Sequence, residues 1–101
     1  MVQNRLASDQ QLKFLFQALA DQQTPQQVKD LLQDLCTIRE INDMASRLAV
    51  AQMLAAGESY LKIQEITGTS ATTIARVSKC LSFGAGGYQR VLGLSQSQPS
   101  Q

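Results

Sequence analysis

On a helix running from Ala71 to Lys79, the residues Ala71, Thr72, Thr73, Ala75, Arg76 and Lys79 lie off the apolar stripe. Short side chains let a backbone approach base edges, hydroxyls exchange hydrogen bonds with them, and cations hold phosphates. The chemistry such a face offers is recognition of a DNA major groove. Ser70, at the start of that helix, and Lys62, on the helix before it, complete the candidate contacts with bases and phosphates.

A face of this kind must be carried by two helices and a turn, and the stretch from Ser59 to Leu81 provides them. Ser59 can cap a first helix from Tyr60 to about Ile66, with Leu61, Ile63 and Ile66 as apolar positions. Gly68 falls where the connection needs a left-handed backbone. Ser70 can cap the second helix, in which Ile74, Val77 and Leu81 recur at the spacing of a buried stripe. The stretch reads as a helix-turn-helix. An amphipathic helix pair in an ordinary bundle shares part of this pattern. Gly68, Ser70, Thr73, Ile74 and Arg76 taken together favour the DNA reader.

A chain of 101 residues fits one domain, here 8–94 between a fraying start at 1–7 and a disordered polar tail at 95–101. Hydrophobic residues make up 44%, but aromatics only 5% and there is no Trp. A core of small aliphatics in so short a chain is marginal alone, which favours oligomerisation. The net charge of +1 excludes a general polyanion binder. Its distribution is uneven: residues 1–58 carry five cations against seven acids, whereas 59–101 carry four against one. The positive end is the end with the helix-turn-helix. No apolar run reaches membrane-spanning length and no secretory pattern begins at Met1, so a cytoplasmic protein without membrane contact is expected. In that setting Cys36 and Cys80 read as small buried hydrophobes rather than a disulfide. With no His and no cysteine pair at ligand spacing, no metal site is expected. Gly84-Ala85-Gly86-Gly87 follows a helix rather than a strand and lacks the Lys-Ser/Thr of a phosphate loop. No catalytic residues stand out; the chain does not read as an enzyme.

The remaining segments also read as helices. Ser8 and Gln11 form a capping box ahead of Leu12, Leu15, Phe16 and Leu19, with Phe14 off that face. Thr24-Pro25 opens a second helix with Gln27 as box partner and Val28, Leu31, Leu32 and Leu35 as buried positions. Thr37, with Glu40, caps a longer helix that carries Ile38, Ile41, Met44, Ala45, Leu48, Ala51 and Ala55 and ends at Gly57. Ala49, Val50, Met53 and Leu54 widen its apolar arc, which suits a helix between several neighbours or at a dimer seam. Tyr88 to Leu94 is a last short helix. The fold class is all-α, with five to six short helices.

Three segments resemble the tryptophan-repressor superfamily, and more closely its small YerC/YecD-type branch. Thr37 to Arg47 resembles the capped central helix, Gly57-Glu58-Ser59 the link into the reading head, and Thr72 to Leu81 the reading helix. Gly86-Gly87-Tyr88 is similar to the branch rather than to the repressor. The resemblance covers roughly Leu12 to Leu92. It implies an intertwined helical homodimer whose two reading heads enter successive major grooves, and hence a sequence-specific regulator, most simply a repressor, with double-stranded DNA and a second copy as partners. It also implies a possible effector pocket at Thr37, Arg47 and Arg76, where guanidinium groups suit a carboxylate. Val77 departs from the repressor, which has Gly there, and its β-branched side chain takes space that an indole needs. No cofactor is expected, and tryptophan is not the expected effector. The link before the reading head is also one residue shorter than in the repressor.

Two rival readings belong to other classes. A helical adaptor could use the same scaffold to bind a protein, and the low net charge and broad apolar helices fit it. The recognition head of a transposase or recombinase shares the motif, but that reading would need this sequence to be a fragment, with its catalytic carboxylate domain elsewhere.

Overall fold

The computed structural model describes residues 6–94 of the chain. Most of the 1–7 segment and the whole polar tail lie outside these residues. Six helices follow in order: α1 (Asp9–Ala20), α2 (Pro25–Leu35), α3 (Ile38–Ala55), α4 (Tyr60–Thr67), α5 (Ala71–Phe83) and α6 (Gly87–Leu92). No strand occurs among the described residues. The chain divides into two compact units, Met1–Ile41 and Asn42–Gln101, with the boundary inside α3. Among the described residues no helix is long and apolar enough to cross a membrane.

In the first unit the caps do what their residue types require. The N–H of Gln11 donates to Ser8 Oγ at 3.1 Å, and Gln11 Oε1 accepts from the N–H of Ser8 at 2.8 Å. Thr37 and Glu40 repeat this reciprocal arrangement at the start of α3, with bonds of 3.1 and 2.8 Å. Each pair satisfies two N–H groups that a helix start leaves free. Thr24 caps α2 by accepting from the N–H of Gln27, but the Gln27 side chain takes the N–H of Gln23 instead of that of Thr24. The cap is present; the expected box is not. No residue of α1 or α2 is buried, and Phe14 and Ile38 are each 77% exposed. The stripe of Leu12, Leu15, Phe16 and Leu19 is half-buried only at Leu15 and Leu19.

The core lies in the second unit. Val50 and Ala51 of α3, Ile63 of α4, and Ile74 and Val77 of α5 form it, with Met53, Leu54, Tyr88 and Leu92 packed against it. Three of the positions expected in the α4 stripe separate: Ile63 is fully buried, whereas Leu61 and Ile66 are exposed. At ~100° per residue Leu61 sits nearly opposite Ile63, so one neighbouring helix cannot cover both. Cys80 is exposed on α5 and Cys36 half-buried at the end of α2, so neither is the buried hydrophobe expected.

Two glycines set the ends of the reading head. Gly68 closes α4 with φ 73°, the left-handed region that other residues enter only at a cost, and its N–H donates to Gln64 O at 2.9 Å. A Cβ there would meet open space. Gly68→Ala is therefore expected to cost only backbone strain, about 1 kcal/mol in a denaturant melt. Thr67 braces the same turn: its hydroxyl donates to Ile63 O at 2.7 Å and accepts the N–H of Thr69 at 3.1 Å. α5 runs two residues past Leu81, and at its C-cap Gly84 a Cβ would press into the carbonyl oxygen of Cys80, so that backbone has room for glycine alone. The Gln89 side chain then ties α6 back by donating to Leu81 O at 2.8 Å.

Candidate nucleic-acid interface

The reading face follows from the core. Because Ile74 and Val77 point inward at 0% and 2% exposure, the opposite side of α5 is left to solvent. Ala71, Thr72, Ala75, Arg76 and Lys79 are all exposed there, and Thr73 is half-buried on its flank. Lys62 is exposed in the first turn of α4, where its backbone N–H donates to the capping Ser59 Oγ at 3.1 Å. The face thus presents two short aliphatics, a free hydroxyl and two cations along one side of a helix held by a tight turn. A groove-reading helix needs that combination of close approach, hydrogen bonding and positive charge.

Ser70 is engaged within the chain. Its Oγ accepts from the N–H of Thr73 at 3.2 Å and donates to Thr73 Oγ1 at 3.1 Å. Its extended backbone, φ −68° and ψ 154°, is that of a helix-capping residue.

The resemblance implies an effector pocket at Thr37, Arg47 and Arg76. Thr37 belongs to the first unit, where it caps α3. Arg47, in the second unit, lines a polar cleft of about 340 Å³ together with Asp43, Ser46, Thr67, Gly68, Thr69, Ser70 and Thr73. Arg76 is exposed on α5 and does not line that cleft. Sequence reasoning singled out neither Asp43 nor Ser46 for a site. The signal available was their spacing with Arg47, which puts Asp43 and Ser46 within one helical turn of the guanidinium. A second depression in the same unit is apolar, about 410 Å³, lined by Leu48, Cys80, Gly84, Ala85, Gly87, Tyr88 and Val91.

This geometry agrees with what the chain is similar to. Residues 10–96 match the family model described as Trp repressor protein. The chain is 40% identical over 82 residues to YerC of Bacillus subtilis (strain 168), itself an uncharacterized protein, covering 81% of this chain and 79% of that one. The crystal structure of a TrpR like protein from Eubacterium eligens ATCC 27750 superposes with a TM-score of 0.80 at 38% identity. That match covers 86% of this chain and 94% of the other. Among the described residues, six helices without a strand, a glycine-closed turn and an exposed polar face on α5 accompany these matches: the chain belongs to the Trp repressor family.

Proposed function

We propose that this protein is a sequence-specific, DNA-binding transcription regulator, a cytoplasmic repressor that acts as a homodimer and carries no catalytic site or cofactor. The observation that carries the reading is the face of α5: Thr72, Ala75, Arg76 and Lys79 exposed on the side opposite buried Ile74 and Val77. Ala71, Thr72, Thr73 and Ala75 would meet base edges, while Lys62, Ser70, Arg76 and Lys79 would contact phosphates or bases. The family supports the same class of function.

The homodimer is supported by what one protomer leaves uncovered. Phe14, Phe16, Ile38, Leu61, Phe83 and Val91 are all more than half exposed, apolar side chains that a partner surface could cover. Covering them with a second copy is the economical solution for a chain whose buried core, among the described residues, is five side chains. A two-fold dimer would read half-sites about 34–36 Å apart. Val77, packed in the core, argues against tryptophan as effector, because its side chain occupies the place where the repressor has only a glycine.

Selection of random duplex DNA by the full chain at moderate salt, with and without L-tryptophan, tests the proposal. A two-fold symmetric site recovered in both conditions is the expected result. Enrichment only with tryptophan would overturn the reading of Val77. No enrichment in either condition would favour the protein-binding adaptor, which the same exposed apolar residues could serve.

A further inference from the structure

Arg47 lies outside the helix-turn-helix in sequence, yet it lines one cleft with the turn residues Thr67–Ser70 and with Thr73. We propose that the DNA interface extends onto α3, where Arg47 and the hydroxyl of Thr73 together hold one backbone phosphate of each half-site. The inference rests on the regulator reading above and refines it: Thr73 moves from a base edge to a phosphate, and Ser70 positions Thr73 rather than touching DNA itself.

Hydrogen-bond accounting supplies the first argument. The N–H of Thr73 donates to Ser70 Oγ, which polarises the Ser70 O–H as it donates onward to Thr73 Oγ1. The relay ends at the Thr73 hydroxyl, whose own hydrogen is spent on none of these bonds. Ser70 is thereby a positioning residue, and Thr73 presents a donor that requires an acceptor. A phosphodiester oxygen is an acceptor only. A guanidinium pairs with phosphate oxygens in a planar fork, and Arg47 is exposed, so a phosphate can reach it from solvent.

The lining of the cleft supplies the second. Every side chain there is polar or charged, and the remaining position is Gly68. An aromatic effector would find no apolar wall in it, whereas a sugar-phosphate backbone needs none. One group opposes a phosphate: Asp43, one helical turn before Arg47, also lines the cleft. That opposition fixes a sign. Removing the carboxylate must strengthen DNA binding if a phosphate sits here. It must do nothing to DNA binding if Asp43 and Arg47 merely support each other along the helix.

The test measures affinity of the full chain for the duplex it selects, between 50 and 300 mM salt. Arg47→Gln is expected to flatten the salt slope by about one unit per half-site and to weaken binding about tenfold per half-site at 0.1 M salt. Arg47→Lys should restore the slope. Thr73→Val, which keeps shape and charge, should weaken binding to all sequences without changing the slope, and Asp43→Asn should tighten it. If Arg47→Gln fails to fold, the last two variants decide. Wild-type protein that binds no duplex in a salt-dependent way overturns the regulator reading itself. Wild-type binding with an unchanged slope in Arg47→Gln overturns only the phosphate contact. A change confined to the response to added L-tryptophan would replace that contact by a free-carboxylate site.

Discussion

Replacing Ile74 by alanine is expected to lower the unfolding free energy by about 3 kcal/mol, the largest loss among single changes in α5. Ile74 is fully buried, and among the described residues it joins Val50, Ala51, Ile63 and Val77 in the buried cluster, with Met53, Leu54, Tyr88 and Leu92 packed on it. Truncation removes three methyl or methylene groups from water-free surroundings, and neighbours fixed on α3, α4 and α5 cannot all collapse into the space. The effect is large relative to the whole, since a domain of this size is stable by only ~5–15 kcal/mol. Urea denaturation of both proteins at one fixed concentration measures it, because dimerisation would make stability concentration-dependent. Thr72→Ala on the exposed side of the same helix is the control, expected within about 0.5 kcal/mol of wild type. A loss below about 1 kcal/mol at Ile74 would mean that the core is not where the structure puts it.

The contrast between Ile74 and Leu61 shows which features could be read from sequence. Caps and turns were legible because their causes lie within four residues. Ser8 with Gln11, Thr37 with Glu40, Ser59 with Lys62, and Ser70 with Thr73 each close a local bond that the residue types already imply. Gly68 adopts the left-handed backbone that its place between two helices requires. Burial was less legible, because periodicity identifies an apolar face without identifying what covers it. Val50, Ile63, Ile74 and Val77 are covered by one another; Phe16, Leu35, Ile38 and Phe83 carry equally apolar side chains and remain exposed. Cys80 follows the same rule, exposed beside the apolar depression that it lines with Leu48 and Tyr88.

The candidate site divides along the same line. The exposed side of α5 could be read directly, since it is what remains once Ile74 and Val77 turn inward. The cleft could not, since Asp43, Ser46 and Arg47 are some twenty residues from Thr67 in sequence and meet it only after α3 and α4 have folded back on each other. A resemblance to a ligand pocket drew attention to Arg47 together with Arg76. Within the second unit Arg47 lines the cleft beside the turn, and Arg76 is exposed on α5. Two arginines that look alike in sequence thus sit in different surroundings.

Those surroundings lead to the second large effect. Arg76 and Lys79 are exposed three residues apart on α5, so both can reach the phosphates that border one groove. The double variant Arg76→Gln, Lys79→Gln is expected to flatten the salt slope by about two units per half-site and to weaken binding about a hundredfold per half-site at 0.1 M salt. Its stability should stay within about 0.5 kcal/mol of wild type, because neither side chain contributes to the core. The two readouts together discriminate between causes. Lower affinity with a lower denaturation midpoint would indicate damage to the fold rather than lost contacts. Lower affinity with an unchanged midpoint and a shallower slope identifies the cations as phosphate contacts, since counterion release scales with the number of phosphates neutralised. An unchanged slope would remove the positive side of α5 from the DNA interface and leave its exposed residues to a protein partner.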